Sequence, residues 1–132
     1  MTLNERKRIF NNICNKYSNE IWIHPGDCGK DNRAYSYISR REIVLPEDSF
    51  STPSEWAILV LLHEIGHIKT NTSQMKECEK EFYATQWSAI EAKKIGLTIQ
   101  SSWKKAYQSY IWGKRRGNSK NALSKEDLVV KW

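Results

Sequence analysis

The sequence predicts an α+β domain: an N-terminal helix, a small three-stranded, mainly antiparallel sheet, a central helix packed on a second long one, and a further C-terminal helix. Three observations carry that expectation. Apolar residues recur at three-and-four spacing over 3–18, 75–96 and 101–112. Short β-prone runs cluster between Ile21 and Leu45, with breakers at Pro25-Gly26 and Pro46. Between the sheet and the second long helix, a helix opens on seven consecutive apolar residues, 56–62, and is therefore buried on most sides.

Taken in order, Thr2-Leu3-Asn4-Glu5 has the Ser/Thr-x-x-Glu form of a capping box, and Ile9, Phe10, Ile13 and Tyr17 continue it as one helical stripe. Ile21-Trp22-Ile23, the aromatic alternation of Tyr35 and Tyr37, and Ile43-Val44-Leu45 read as three strands, the last at or near an edge because Pro46 stops it. Thr52-Pro53-Ser54-Glu55 reads as a helix start, with Thr52 as N-cap and Pro53 at the first helical position. The second long helix, with Met75, Cys78, Phe82, Ala89 and Ala92 on its stripe, ends at Gly96 after Lys93 and Lys94. Trp103, Tyr107 and Tyr110 form the stripe of the next helix, 113–121 reads as a basic linker, and Ser124 starts a short final helix. Residues 1–112 thus form the body of the domain and 113–132 a basic extension of it.

A chain of 132 residues is about one domain and buries a substantial core. Its longest apolar run falls far short of the ~20 residues of a membrane span, and residues 2–8 lack the apolar segment of a signal peptide. Three cysteines without a CxxC pair argue against a disulfide framework, so the expected location is the cytoplasm. The net charge of +6 sits wholly at the C-terminal end: residues 103–132 carry 8 basic and 2 acidic side chains, while 1–102 balance at 13 each. Lys104, Lys105, Lys114, Arg115, Arg116 and Lys120 alternate with Tyr107, Tyr110 and Trp112, a pattern able to bind nucleic acid over 104–120. A solvated basic face around a packing stripe is the favoured reading of the same residues.

The chemistry lies in His63-Glu64-Ile65-Gly66-His67. Residues four apart on a helix lie on nearly one side, separated by roughly 6 Å along the axis, so His63 and His67 can direct both imidazoles to one metal ion. Glu64 is adjacent to a ligand but off the ligand line, which suits a general base acting on metal-bound water. A catalytic zinc needs a third protein ligand. His24 is far upstream in a Pro/Gly-bounded turn, and Glu77, Glu79, Glu81 and Glu91 on the second long helix are the candidates.

His63-Glu64-Ile65-Gly66-His67, followed after thirteen residues by Glu81-Phe82-Tyr83-Ala84-Thr85-Gln86-Trp87-Ser88, resembles the ImmA/IrrE family of metallopeptidases. Members of that family are gluzincin-like and pair His-Glu-x-x-His with Glu-x-x-Ala-Asn/Asp-x-Phe-Ala on the next helix. Matching Ala84 and Trp87 to that segment implies Glu81 as third ligand, with His63 and His67, in a minimal zincin-like fold. Thr85 stands where relatives often carry Asn or Asp, a position that orients a ligand histidine. The resemblance implies a phage- or mobile-element-encoded enzyme that cleaves a regulatory or DNA-binding protein.

The expected function is therefore a zinc metalloendopeptidase: zinc on His63, His67 and Glu81, Glu64 as proton carrier, and an extended protein substrate added to the strand near 41–45. The alternatives are a non-catalytic, metal-containing module that binds a partner protein, or nucleic-acid binding through the basic tail. Tyr35, Tyr37 and Tyr83 are possible oxyanion donors, with packing as their default role.

Overall fold

The computed structural model describes residues 1–117 and 121–132. Its elements run α1 (Leu3–Tyr17), β1 (Trp22–Pro25), β2 (Tyr35–Tyr37), β3 (Glu42–Leu45), α2 (Asp48–Ser51), α3 (Glu55–Thr70), α4 (Glu77–Lys94) and α5 (Ser101–Gly117). The fold is α+β, as expected. At the start of α1, Thr2 Oγ1 accepts from the Glu5 amide and Glu5 returns the bond to the Thr2 amide, so the capping box is formed.

The sheet has the order β1-β3-β2 and is mixed: β1 pairs with β3 in parallel, β2 with β3 antiparallel. β3 is therefore the central strand and not an edge, and all four of its residues are buried. Pro46 misleads because it follows the strand. Its missing N–H removes no ladder bond, and residues 42–45 remain free to pair on both sides. The parallel pair exists because the chain from 26 to 41 makes a long excursion that includes β2 before returning as β3.

Two helix boundaries also differ from expectation. Ser54, not Thr52, caps α3: Ser54 is extended and its Oγ accepts from the Ala57 amide at 3.0 Å. Thr52 instead ends the short helix α2, in a non-helical conformation of the kind required before proline. Pro53 stays outside the helix, where its carbonyl accepts from Arg6 Nε of α1 at 2.7 Å. At the other end, α5 continues through 113–117, residues whose composition suggests a linker. Ser124 opens a turn, not a helix, closed on Asp127 at 2.8 Å.

The main core joins Phe10, Ile13 and Tyr17 of α1, Ile43 and Leu45 of β3, and the inward side of α3 at Ile58, Leu59, Leu61, Leu62, Ile65 and Ile68. A second cluster lies between α4, α5 and the C-terminal segment: Cys78, Ala89, Ile111, Leu128 and Val130. Two glutamines hold that segment by its backbone. Gln108 donates to the Leu128 carbonyl and accepts from the Val130 amide, and Gln86 does the same for both backbone groups of Lys131. The basic extension is thus packed onto the body. Among the described residues, no helix is long and apolar enough to cross a membrane.

Candidate metal centre

α3 carries His63 and His67 one turn apart, with ring centroids 4.7 Å apart and planes at 89°. What brings a carboxylate to them is the crossing of α4. A Cβ at Gly66 would lie 2.6 Å from the Ala84 carbonyl oxygen and 3.1 Å from its Cα, so only glycine permits this backbone approach. Glu81, one turn before Ala84 on α4, is thereby placed across from both imidazoles. Its Oε2 is 3.0 Å from His63 Nε2 and 3.3 Å from His67 Nε2.

These three side chains could hold a metal ion: their donor atoms all lie within 4.8 Å of one another. In a tetrahedral zinc site with bonds of about 2.0–2.1 Å, ligand atoms stand about 3.3–3.4 Å apart. The two histidine–carboxylate separations are close to that edge length, and the N, N, O donor set is one that zinc accepts. Each imidazole is also held from behind. Asn71 Nδ2 donates to the Thr70 hydroxyl and to the Lys80 carbonyl, which turns its Oδ1 towards the ring. His67 Nδ1–H donates to that oxygen at 2.6 Å, leaving Nε2 for the shared site. The hydroxyl of Thr85, fully buried, lies 3.3 Å from His63 Nδ1. Such outer contacts fix ring orientation and tautomer in metal sites.

Charge is concentrated here. Burial pulls the His67 pKa down, but the hydrogen bond and negative charge of Glu81, aided by Glu64 and Asn71, override it and raise the value to about 9. Burial likewise raises Glu81, yet hydrogen bonds and charge from His63 and His67 bring it down to about 2. The Glu81 carboxylate thus favours the protonated form of His67, and the two imidazoles favour the ionised form of Glu81. Glu64 is buried beside them and lines the same cleft of about 550 Å³, whose size suits a ligand site.

The other acidic candidates on α4 are engaged elsewhere. Glu77 pairs with Lys80 and Glu91 with Lys94, while Glu79 accepts from the Lys76 and Leu123 amides. His24 lies on the sheet, 2.6 Å from Glu42, away from the centre. Tyr35 donates to the Asp27 carbonyl, Tyr37 lies under the Arg40 guanidinium, and Tyr83 packs on Phe82; none of the three lines the cleft.

Two residues of the site are not evident from the sequence. Asn71 follows α3 in what reads as a polar turn, although its position four residues after His67 is a usable signal. Tyr107 belongs to the aromatic stripe of α5, which reads as packing. Its ring lies 4.9 Å from that of His63, and burial, with the charges of Glu64 and Glu81, pushes its phenol well above the ordinary value.

Of the basic tail, Arg115 donates to the Leu123 carbonyl, Trp112 donates to the Lys125 carbonyl with the Lys125 ammonium over its ring, and Lys114 lies over Tyr110. Trp112 is thus occupied within the fold, and Lys120 lies outside the described residues. Comparison of this chain with protein-family models, with curated proteins and with solved structures finds no match.

Proposed function

We propose that this chain is a zinc-dependent endopeptidase, with His63, His67 and Glu81 as zinc ligands and Glu64 as general base. The observation that carries the reading is the convergence of two imidazole nitrogens and one carboxylate oxygen, with a second, buried carboxylate beside them in an open cleft. Zinc bound there supplies Lewis acidity for a peptide carbonyl and for the attacking water. Glu64 accepts a proton from that water and returns it to the leaving nitrogen, a task that its nearness to the site and its exclusion from the ligand set both favour. Asn71 and Thr85 hold the imidazoles in register, and Tyr107, whose ring lies 4.9 Å from that of His63, is the candidate donor to a developing oxyanion.

The substrate path differs from the one expected. The strand at 42–45 is interior, so strand addition falls to the edge strand β2, which follows directly on the cleft-lining residues 31–34. A regulatory protein as substrate, a mobile-element origin and membership of the ImmA/IrrE family belong to this proposal, supported by the Glu81-to-Trp87 segment. So does a cytoplasmic location, supported by three free thiols at Cys14, Cys28 and Cys78.

The test is a mixed peptide library incubated with zinc-loaded protein and read by mass spectrometry. Wild type cleaves, a chelator stops it, and Glu64→Gln keeps its zinc while losing at least about 10²-fold in rate. Cleavage that survives Glu64→Gln unchanged would sink the mechanism. A metal-containing binding module is the second reading, favoured by the long 3.3 Å contact from the Thr85 hydroxyl where a carboxylate would grip harder. Stoichiometric zinc without cleavage of any library member would select it.

A further inference from the structure

The apolar run of α3 is only half used by the core. Ile58, Leu59, Leu61 and Leu62 are buried, whereas Trp56 is 40% exposed and Ala57 and Val60 are only partly covered. At 100° per residue, Trp56 and Val60 fall on the side of the helix that carries His63, Glu64 and His67. An apolar stripe therefore leads along the cleft floor to the candidate metal centre. From α5, Tyr110 is 42% exposed and lines the same cleft. Trp56 is fixed from behind by Trp103 and Tyr107, at centroid distances of 5.4 and 5.6 Å, so the surface is preorganised.

The dimensions and the opposite wall select the occupant. Val60 precedes His63 by three residues and Trp56 by seven, about 4.5 and 10 Å along the axis. An extended polypeptide advances about 3.3 Å per residue. The stripe is therefore within reach of the residues that flank a bond held at the metal. Across the cleft, Asp31, Arg33 and Asp48 present both signs of charge, which suits a polar main chain and not an acyl chain. We infer that Trp56, Val60 and Tyr110 form a specificity pocket for one large apolar side chain, such as Leu, Met or Phe, within one or two residues of the scissile bond.

This inference rests on the peptidase reading of the same centre, and its test separates the two. Peptidyl hydroxamates of one backbone, carrying Phe, Leu, Ala or Asp beside the zinc-binding group, are titrated by calorimetry into zinc-loaded wild type, Trp56→Ala, Val60→Asp and Tyr110→Ala. Phe and Leu bind about tenfold or more tighter than Ala, and Asp binds weakest. Trp56→Ala and Val60→Asp bring the Phe-to-Ala ratio towards one, and Tyr110→Ala halves it or more, with zinc content unchanged in all three as the check on folding. Hydroxamates that bind wild type with no side-chain preference, or a ratio unmoved in every variant, overturn the pocket while leaving the metal centre standing. A wild type that takes up no zinc and binds none of the four overturns both.

Discussion

The first two turns of α3 are apolar on both sides, and the two sides are put to opposite use. On one side Ile58, Leu61, Leu62 and Ile65 are closed off by α1 and the sheet. On the other, Trp56 and Val60 lead to His63, Glu64 and His67 in an open cleft. Apolar character does not separate them. What does is whether another element of the chain covers the side, and α5 and the 31–34 segment stand back far enough to leave a cleft. The packed side supplies the stability that lets the open side hold charged and exposed groups in one arrangement.

The largest effect is expected on the packed side. Leu61→Ala removes a fully buried side chain and lowers stability by about 2–5 kcal/mol, read by denaturant melts of the metal-free protein. Next is the helix crossing that links the two sides. Gly66→Ala forces its Cβ against Ala84 and costs about 1–3 kcal/mol; because the clash moves α4, it also weakens zinc affinity, measured by competition with a chromophoric chelator. A variant that melts lower but binds zinc as wild type would separate the crossing from the placement of Glu81.

On the open side, Asn71→Ala lowers zinc affinity about 10–100-fold by releasing His67 Nδ1, with Thr85→Val acting in the same direction on His63. Proton linkage gives a further test. Zinc must displace the proton held at His67, so affinity rises with pH until about 9. Stability of the metal-free protein runs the other way. The raised His67 contributes fully below its ordinary value of 6.5, and that contribution is lost as pH rises through about 9. The depressed Glu81 contributes above 4.5 and loses its contribution as pH falls towards about 2. Thermal melts should therefore fall from pH 6.5 to 9 without metal, and His67→Gln should flatten that slope. The smallest effect is Val60→Ala, one residue from Leu61, at less than about 1 kcal/mol because its side chain already borders the cleft.

Much of the fold is legible in the sequence. The capping box at Thr2 and the end of α4 near Gly96 follow from side chains that act within one turn of their own backbone. The same holds for His63 beside His67. Where the fold departs from expectation, a local signal has two compatible outcomes. Pro46 ends a strand whether that strand is central or at an edge, and Pro53 fits either inside a helix or just before a cap.

The sequence by itself determined that two imidazoles would share one side of a capped, largely apolar helix, because helical periodicity is fixed by the backbone. It offered four glutamates to meet them, and resemblance pointed to one. Tertiary structure decided the rest: the approach at Gly66 sets how closely α4 crosses α3, and hence that Glu81 reaches both rings while Glu77, Glu79 and Glu91 find other partners. It also decided that Asn71 backs His67 and that Tyr107 faces His63. Those contacts depend on distances between elements, which no pattern along a single helix specifies.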